Sequence, residues 1–165
     1  MKMRSILIAF LTVVPVLHAQ ENPAWNKLEF LLGNWIGVAG EKDTSLGAGQ
    51  GSFSFEAQLK QKIIVRHNAA SYTSGVQHDD LMVIYFDSPE AAPKAIYFDS
   101  EGHVIRYNLT FPSPNRAVFE SDAAQPGPKF RLTYWLEGAS LDGKFEIAAP
   151  SSEYKTYLSW ASKKR

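Results

Sequence analysis

The sequence predicts an all-β protein: an antiparallel up-and-down β-barrel of about ten strands, with a short N-terminal helix closing one end. Two observations carry most of that prediction. Apolar and polar residues alternate with a period of two through run after run from Asn34 onward, the signature of strands with one face buried. The runs are joined by short connections rich in Gly, Pro, Asn, Asp and Ser, with no helix-length segment between them, which disfavours parallel βαβ units. Closure of the sheet is expected because it removes the edge strands that a chain outside the cell would otherwise expose.

Each element has a local cause. The segment Asn22-Pro23-Ala24-Trp25-Asn26-Lys27-Leu28-Glu29-Phe30-Leu31-Leu32-Gly33 has Asn at an N-cap, Pro at the first helical position and Gly past the end, which predicts the short helix. Phe53 and Phe55 alternate with Ser52, Ser54 and Glu56, and further extended runs are expected at residues 61–72, 81–87, 94–99, 103–111, 116–120, 130–137, 141–149 and 154–162. Turn chemistry stands at Asp87-Ser88-Pro89, Ser100-Glu101-Gly102, Pro112-Ser113-Pro114-Asn115, Gln125-Pro126-Gly127-Pro128 and Leu141-Asp142-Gly143. The Gly47-Ala48-Gly49-Gln50-Gly51 stretch reads as a loop between the first two strands. Alternation assigns His103, Ile105, Tyr107, Leu109 and Phe111 to an inner face, and groups Phe130, Leu132 and Tyr134 on one face and Tyr154, Thr156, Leu158 and Trp160 on another.

The chain has 165 residues, with Lys and Arg at 17 balanced by 17 Asp and Glu, and no Cys. Residues 1–19 read as a secretory signal peptide: Lys2 and Arg4 precede the apolar run Ile6 to Leu17, and cleavage is expected after Ala19. Residues 20–165 then form one β-barrel domain, secreted or periplasmic. A chain this near to neutrality offers no basic stripe for a nucleic acid, and beyond the leader no apolar run approaches the roughly 18 residues of a transmembrane segment. The absence of Cys excludes disulfides, thiol nucleophiles and thiolate metal sites.

The segment Leu28-Glu29-Phe30-Leu31-Leu32-Gly33-Asn34-Trp35-Ile36-Gly37 joins a short helix to a Gly-x-Trp start of the first strand. It resembles the start of calycin barrels, meaning lipocalins, fatty-acid-binding proteins and especially the lipocalin-like proteins grouped near nitrobindin. The runs His78 to Tyr85 and Phe145 to Pro150 are similar to those of exported bacterial members. The resemblance implies that Gly33 and Trp35 are structural, with Trp35 packed over the barrel floor. Nitrobindin-like proteins bind haem through a His near the start of the last strand. Here Ser151 to Leu158 contains no His, and the histidines are His18, His67, His78 and His103.

The remaining chemistry is sparse. The three histidines past the leader lack the close spacing of a metal motif, there is no Gly-x-Ser-x-Gly nucleophile turn, and the glycine cluster lacks the Lys of a phosphate loop. The pair Asp87 and Asp99 is the best carboxylate couple on neighbouring strands. No catalytic residue, metal or cofactor is therefore predicted. The expectation is a binding role, with a small hydrophobic or amphipathic molecule held inside the barrel by His67, Tyr85, Tyr97, His103, Tyr107, Tyr134 and Tyr154 beside Phe53 and Phe55. Arg66 or Arg106, if inward, would meet a ligand carboxylate. The alternative is a nitrobindin-like haem or metal barrel with redox or isomerase activity.

Overall fold

A computed structural model describes residues 24–38, 49–88, 90–124 and 126–165, so the expected leader and its cleavage point lie outside the described residues. Among the described residues ten strands follow one another: β1 (Gly33–Val38), β2 (Gly49–Gln58), β3 (Ile63–Tyr72), β4 (Gln77–Tyr85), β5 (Lys94–Asp99), β6 (Val104–Ser113), β7 (Arg116–Ser121), β8 (Lys129–Glu137), β9 (Ser140–Ala148) and β10 (Lys155–Lys164). Each pairs antiparallel with its sequence neighbour, and β1 pairs with β10, where Trp35 stands opposite Lys164, so the sheet closes on itself. The expected barrel is the observed one. A sheet closed in this way leaves no unpaired edge to template association.

The expected N-terminal helix is corrected. Among the described residues it is a run of turns ending in a single 3-10 turn at Glu29–Leu31. Its hydrogen bonds all span three residues: Lys27 N donates to Ala24 O, Leu28 N to Trp25 O, Leu31 N to Leu28 O and Leu32 N to Glu29 O. The reason lies in the spacing of the residues that must be buried. Trp25, Leu28 and Leu31 recur every third position and are 7%, 0% and 0% exposed, so a three-residue turn stacks all of them on the barrel while a 3.6-residue turn would rotate them away from it. Burying the three contributes about 1.5–3 kcal/mol each.

Trp35 fixes this plug to the sheet. It is buried, and its Nε1 donates to the Leu31 carbonyl over 2.9 Å. Gly33 makes the bend between plug and strand with φ of +131°, a conformation that a side chain resists, and a Cβ there would lie 2.6 Å from Lys164 Cε.

Strand ends differ from expectation at three places. Leu141-Asp142-Gly143 belongs to β9, and the chain reverses instead at Gly138 and Ala139. Gly143 is needed for packing: a Cβ would sit 2.2 Å from the Trp160 ring, which lies across the glycine. Gly49 and Gly51 belong to β2. Finally, β4 begins at Gln77, so His78-Asp79-Asp80 is strand. Asp87 pairs with Lys94 at 2.6 Å, while Asp99 stands opposite Asp80, so the couple of Asp87 and Asp99 does not form.

The interior is aromatic. Phe53 and Phe55 of β2, Tyr107 of β6, Phe119 of β7, Tyr134 of β8 and Trp160 of β10 meet edge-to-face or tilted, with neighbouring centroids 5.3–6.2 Å apart. Leu28, Leu31, Ile64, Met82, Ile84 and Leu141 complete this core.

Candidate functional site

Alternation along β3, β4 and β5 sends polar side chains into the barrel. Ile64 and Arg66 share a face of β3, Asp80, Met82 and Ile84 share a face of β4, and both sets are buried. Asn68 stands directly opposite Asp80, and Arg66 lies one inward position further down the same pair of strands, so its side chain reaches Asp80 diagonally. Arg66 donates to Asp80 Oδ1, and Asn68 Nδ2 donates to Asp80 Oδ2 over 2.9 Å. His78, two residues before Asp80, brings Nε2 to 3.2 Å from the same Oδ2 and 3.0 Å from the Tyr97 hydroxyl, while its Nδ1 lies 3.0 Å from a Glu101 carboxylate oxygen. A line of charge therefore runs from the barrel centre (Arg66, Asp80) to its rim (His78, Glu101).

Arg66 and Asp80 are 5% and 8% exposed. Burial works against the Arg66 charge, but Asp80 beside it, with the fields of Tyr134 and Tyr97, more than offsets that and holds its pKa above the ordinary value. The guanidinium also rests against the rings of Phe53, Phe55 and Tyr134 at 5.4–5.9 Å. The hydrogen bond to Asp80, chiefly, and then Glu101 push the His78 pKa up to about 9 against the opposing effect of burial, so His78 is a cation at neutral pH. Burial raises Tyr97 and Tyr107 above the usual phenol range and pushes Tyr134 up to about 12 in spite of Arg66. All three remain neutral hydroxyls.

Three buried polar atoms have no hydrogen-bond partner among the described residues: Arg66 Nε, the Tyr134 hydroxyl and Trp160 Nε1. They belong to side chains in mutual contact, since Trp160 packs on Tyr134 at 5.7 Å and the Arg66 guanidinium faces the Tyr134 ring. Orphaned donors at this depth are costly and uncommon in a folded core.

The two ends of the barrel differ. Trp25, Leu28 and Leu31 seal the end where β1 begins. At the opposite end, which has no such plug among the described residues, Tyr97, Phe130 and Phe145 line the interior and are partly buried, as Phe86 and Phe111 are beside the plug. Phe130 and Phe145 stack there nearly parallel at 5.9 Å, forming an apolar wall across from His78 and Tyr97.

Of the residues expected to hold a ligand, Tyr97, Tyr107 and Tyr134 point into the interior, and the structure brings them together around Arg66. The other four stand elsewhere. His67 is exposed on the outer face of β3, because Arg66 and Asn68 on either side of it point inward; it borders an outer recess of about 240 Å³ with Ser52, Ser54 and Arg165. Tyr85 occupies the outward parity of β4 opposite Met82 and Ile84. His103 precedes β6 in an exposed turn and holds Asp99 at 2.9 Å. Tyr154 precedes β10 and lies beneath Arg131, 4.1 Å from its ring, on the outward side of β8. Arg66 is inward, as the carboxylate reading required, but Asp80 already engages it; Arg106 is exposed.

Sequence reasoning missed Asp80, Asn68, His78 and Trp160 as members of the site. His78, Asp99 and Glu101 bring one possible ligand atom each within 4.8 Å of one another, a metal-sized spacing, but each group already has a protein partner: His78 has Asp80 and Glu101, and Asp99 accepts from the His103 and Glu101 backbone amides.

The described residues form a closed ten-stranded antiparallel barrel with a 3-10 plug before its first strand. In three dimensions the chain is similar to Rv2717c from M. tuberculosis, known from its crystal structure, with a TM-score of 0.61 and 12% sequence identity, covering 88% of this chain and 99% of that one. At that identity the likeness shows a shared fold. No family model matches the sequence, and no curated protein does. Among the described residues no helix is long and apolar enough to cross a membrane.

Proposed function

We propose that this chain is an exported binding barrel that holds a small, largely apolar molecule in its interior. The observation that carries the reading is the set of buried polar groups inside the barrel, Arg66, Tyr134 and Trp160 among them, beneath the partly buried Tyr97, Phe130 and Phe145 at the end away from the plug. A barrel that served only as a packed scaffold has no need of Arg66 and Asp80, since well-packed apolar residues replace a buried ion pair at little cost. Retaining them is consistent with a polar handle for a ligand that is otherwise held by aromatic walls. Tyr97, Tyr107, Tyr134, Arg66 and Trp160 are the residues assigned to it.

The residues do not fit the haem alternative. Both ring nitrogens of His78 are engaged and its raised pKa keeps them protonated, whereas His67, His103 and Tyr154 lie outside the interior. The test is native mass spectrometry of the protein purified from its own compartment, with an absorbance scan of the same sample. A mass excess of a few hundred daltons without a visible band is expected. A Soret band or a bound transition metal would overturn the reading in favour of the haem or metal barrel, and a bare mass would count against any tightly held ligand.

A further inference from the structure

We infer that the ligand is recognised through a neutral acceptor oxygen, a ketone- or amide-like carbonyl on an aromatic body, received by the Arg66 Nε, Tyr134 and Trp160 donors. The inference rests on the interior-binding reading above and names the chemistry of the ligand.

Two observations support it independently. The first is the set of orphaned atoms. Arg66 Nε, the Tyr134 hydroxyl and Trp160 Nε1 are N–H or O–H groups, all buried and none with a well-formed hydrogen bond among the described residues, although the Arg66 guanidinium and the Tyr134 hydroxyl are close enough to influence each other's pKa. Tyr134 is the shared neighbour of the other two side chains, with the Trp160 ring at 5.7 Å and the Arg66 guanidinium at 5.9 Å from its ring, so the three groups belong to one region of the interior. The cluster is short of acceptors: it holds three donor groups against the Tyr134 hydroxyl oxygen as its one acceptor, and a ligand that supplied only donors would not make up the shortfall.

The second is charge balance. Among the described residues the two interior-facing cations already have carboxylates: Arg66 has Asp80, and His78 has Asp80 and Glu101. A ligand carboxylate would bring a further negative charge into a low-dielectric interior beside Asp80 with no free cation to meet it. A carbonyl oxygen satisfies the same donors at no such cost. The surrounding rings, Phe53, Phe55, Tyr134 and Trp160, mostly meet edge-to-face, an arrangement that accommodates a further flat ring at an edge.

The experiment uses three probes of equal size with the purified protein: 2-acetylnaphthalene, 2-naphthoate and 2-isopropylnaphthalene. Affinity is read by calorimetry, and site occupancy by the indole N–H resonances of the four tryptophans. The ketone is expected to bind about tenfold more tightly than either the acid or the hydrocarbon, the difference made by one or two hydrogen bonds to otherwise unpaired donors. It should move one indole N–H resonance, the one missing from Trp160→Phe. Tyr134→Phe should cut the preference for the ketone to about threefold or less. Its unfolding midpoint should not fall, because the substitution deletes an unpaired buried hydroxyl; a merely structural hydroxyl would lower the midpoint and leave the preference unchanged.

Equal affinity for ketone and hydrocarbon would overturn the acceptor inference and leave interior binding standing. Tightest binding of the acid would overturn it in favour of anion recognition. No binding of any probe, with no indole resonance displaced, would remove both the inference and the interior-binding reading beneath it.

Discussion

Removing Asp80 should damage the barrel more than removing Arg66, although the two form one ion pair. Asp80 accepts from Arg66 and Asn68 and meets His78, so Asp80→Ala strips three groups of a partner at once and leaves the Arg66 charge buried at 5% exposure with no counter-ion. Breaking a buried pair from one side costs about 3–5 kcal/mol. In Arg66→Met, by contrast, Asp80 keeps Asn68 and the His78 cation, so the loss should fall toward the lower end of that range or below it. The double substitution Arg66→Met with Asp80→Leu removes both charges and should recover to within about 1–2 kcal/mol of the parent, since a well-packed apolar pair replaces a buried ionic one at little cost. Urea unfolding followed by tryptophan fluorescence at pH 7 measures all three, and for a chain of this size Asp80→Ala should lower the thermal midpoint by roughly 10 °C. Arg66→Met proving as harmful as Asp80→Ala, or the double variant losing the sum of the two single losses, would refute the claim that Asp80 is the shared hub of the network.

His78 has a folded pKa of about 9, above its ordinary 6.5, so its contribution to stability is complete below pH 6.5 and is lost as the pH rises through 9. The urea midpoint should therefore decline across that window, and His78→Gln should flatten the decline. Tyr134, pushed up to about 12 by burial, adds a further fall in stability between pH 10 and 12, which Tyr134→Phe should remove. Gly143→Ala drives a methyl into the Trp160 ring and should cost about 1–3 kcal/mol, with part of the loss restored by adding Trp160→Ala, as measured by chemical denaturation. Trp35→Phe leaves the buried Leu31 carbonyl without its donor and should cost about 1–2 kcal/mol, with faster amide exchange at Leu31 and Leu32, whose N–H bonds build the plug, as the local readout.

The barrel was legible because alternation is a direct consequence of strand geometry. Ile105, Tyr107 and Leu109 had to share a face if β6 was extended, and all three are buried. The plug was misread because capping signals and turn geometry are separate matters. Asn22, Pro23 and Gly33 announce where a helical segment starts and stops, but the positions of Trp25, Leu28 and Leu31 decide its pitch, and their spacing of three selects the tighter turn.

The site was harder to read for a reason that begins at Asp79-Asp80. Two adjacent Asp residues are ordinary turn chemistry, so the run from Leu81 was started too late, and His78 and Asp80 fell outside the alternation that would have turned them inward. Carrying the period of two back from Ile84 and Met82 leads to Asp80 and then His78, while the same step along β3 leads from Ile64 to Arg66. The sequence thus contained the inward parity of both partners, but not the register that aligns β3 with β4. That register follows from closure of the whole barrel, in which a shift of one residue would bring Asp80 to the outside and Leu81 to the inside. A buried carboxylate is tolerated only where its partners are already in place, so Arg66, Asn68 and His78 penalise any misaligned pairing of these strands. The network that forms the proposed ligand handle also helps to fix the register that builds it, and substitutions at Asp80 should accordingly perturb folding and binding together, whereas Tyr134→Phe at neutral pH should alter binding alone.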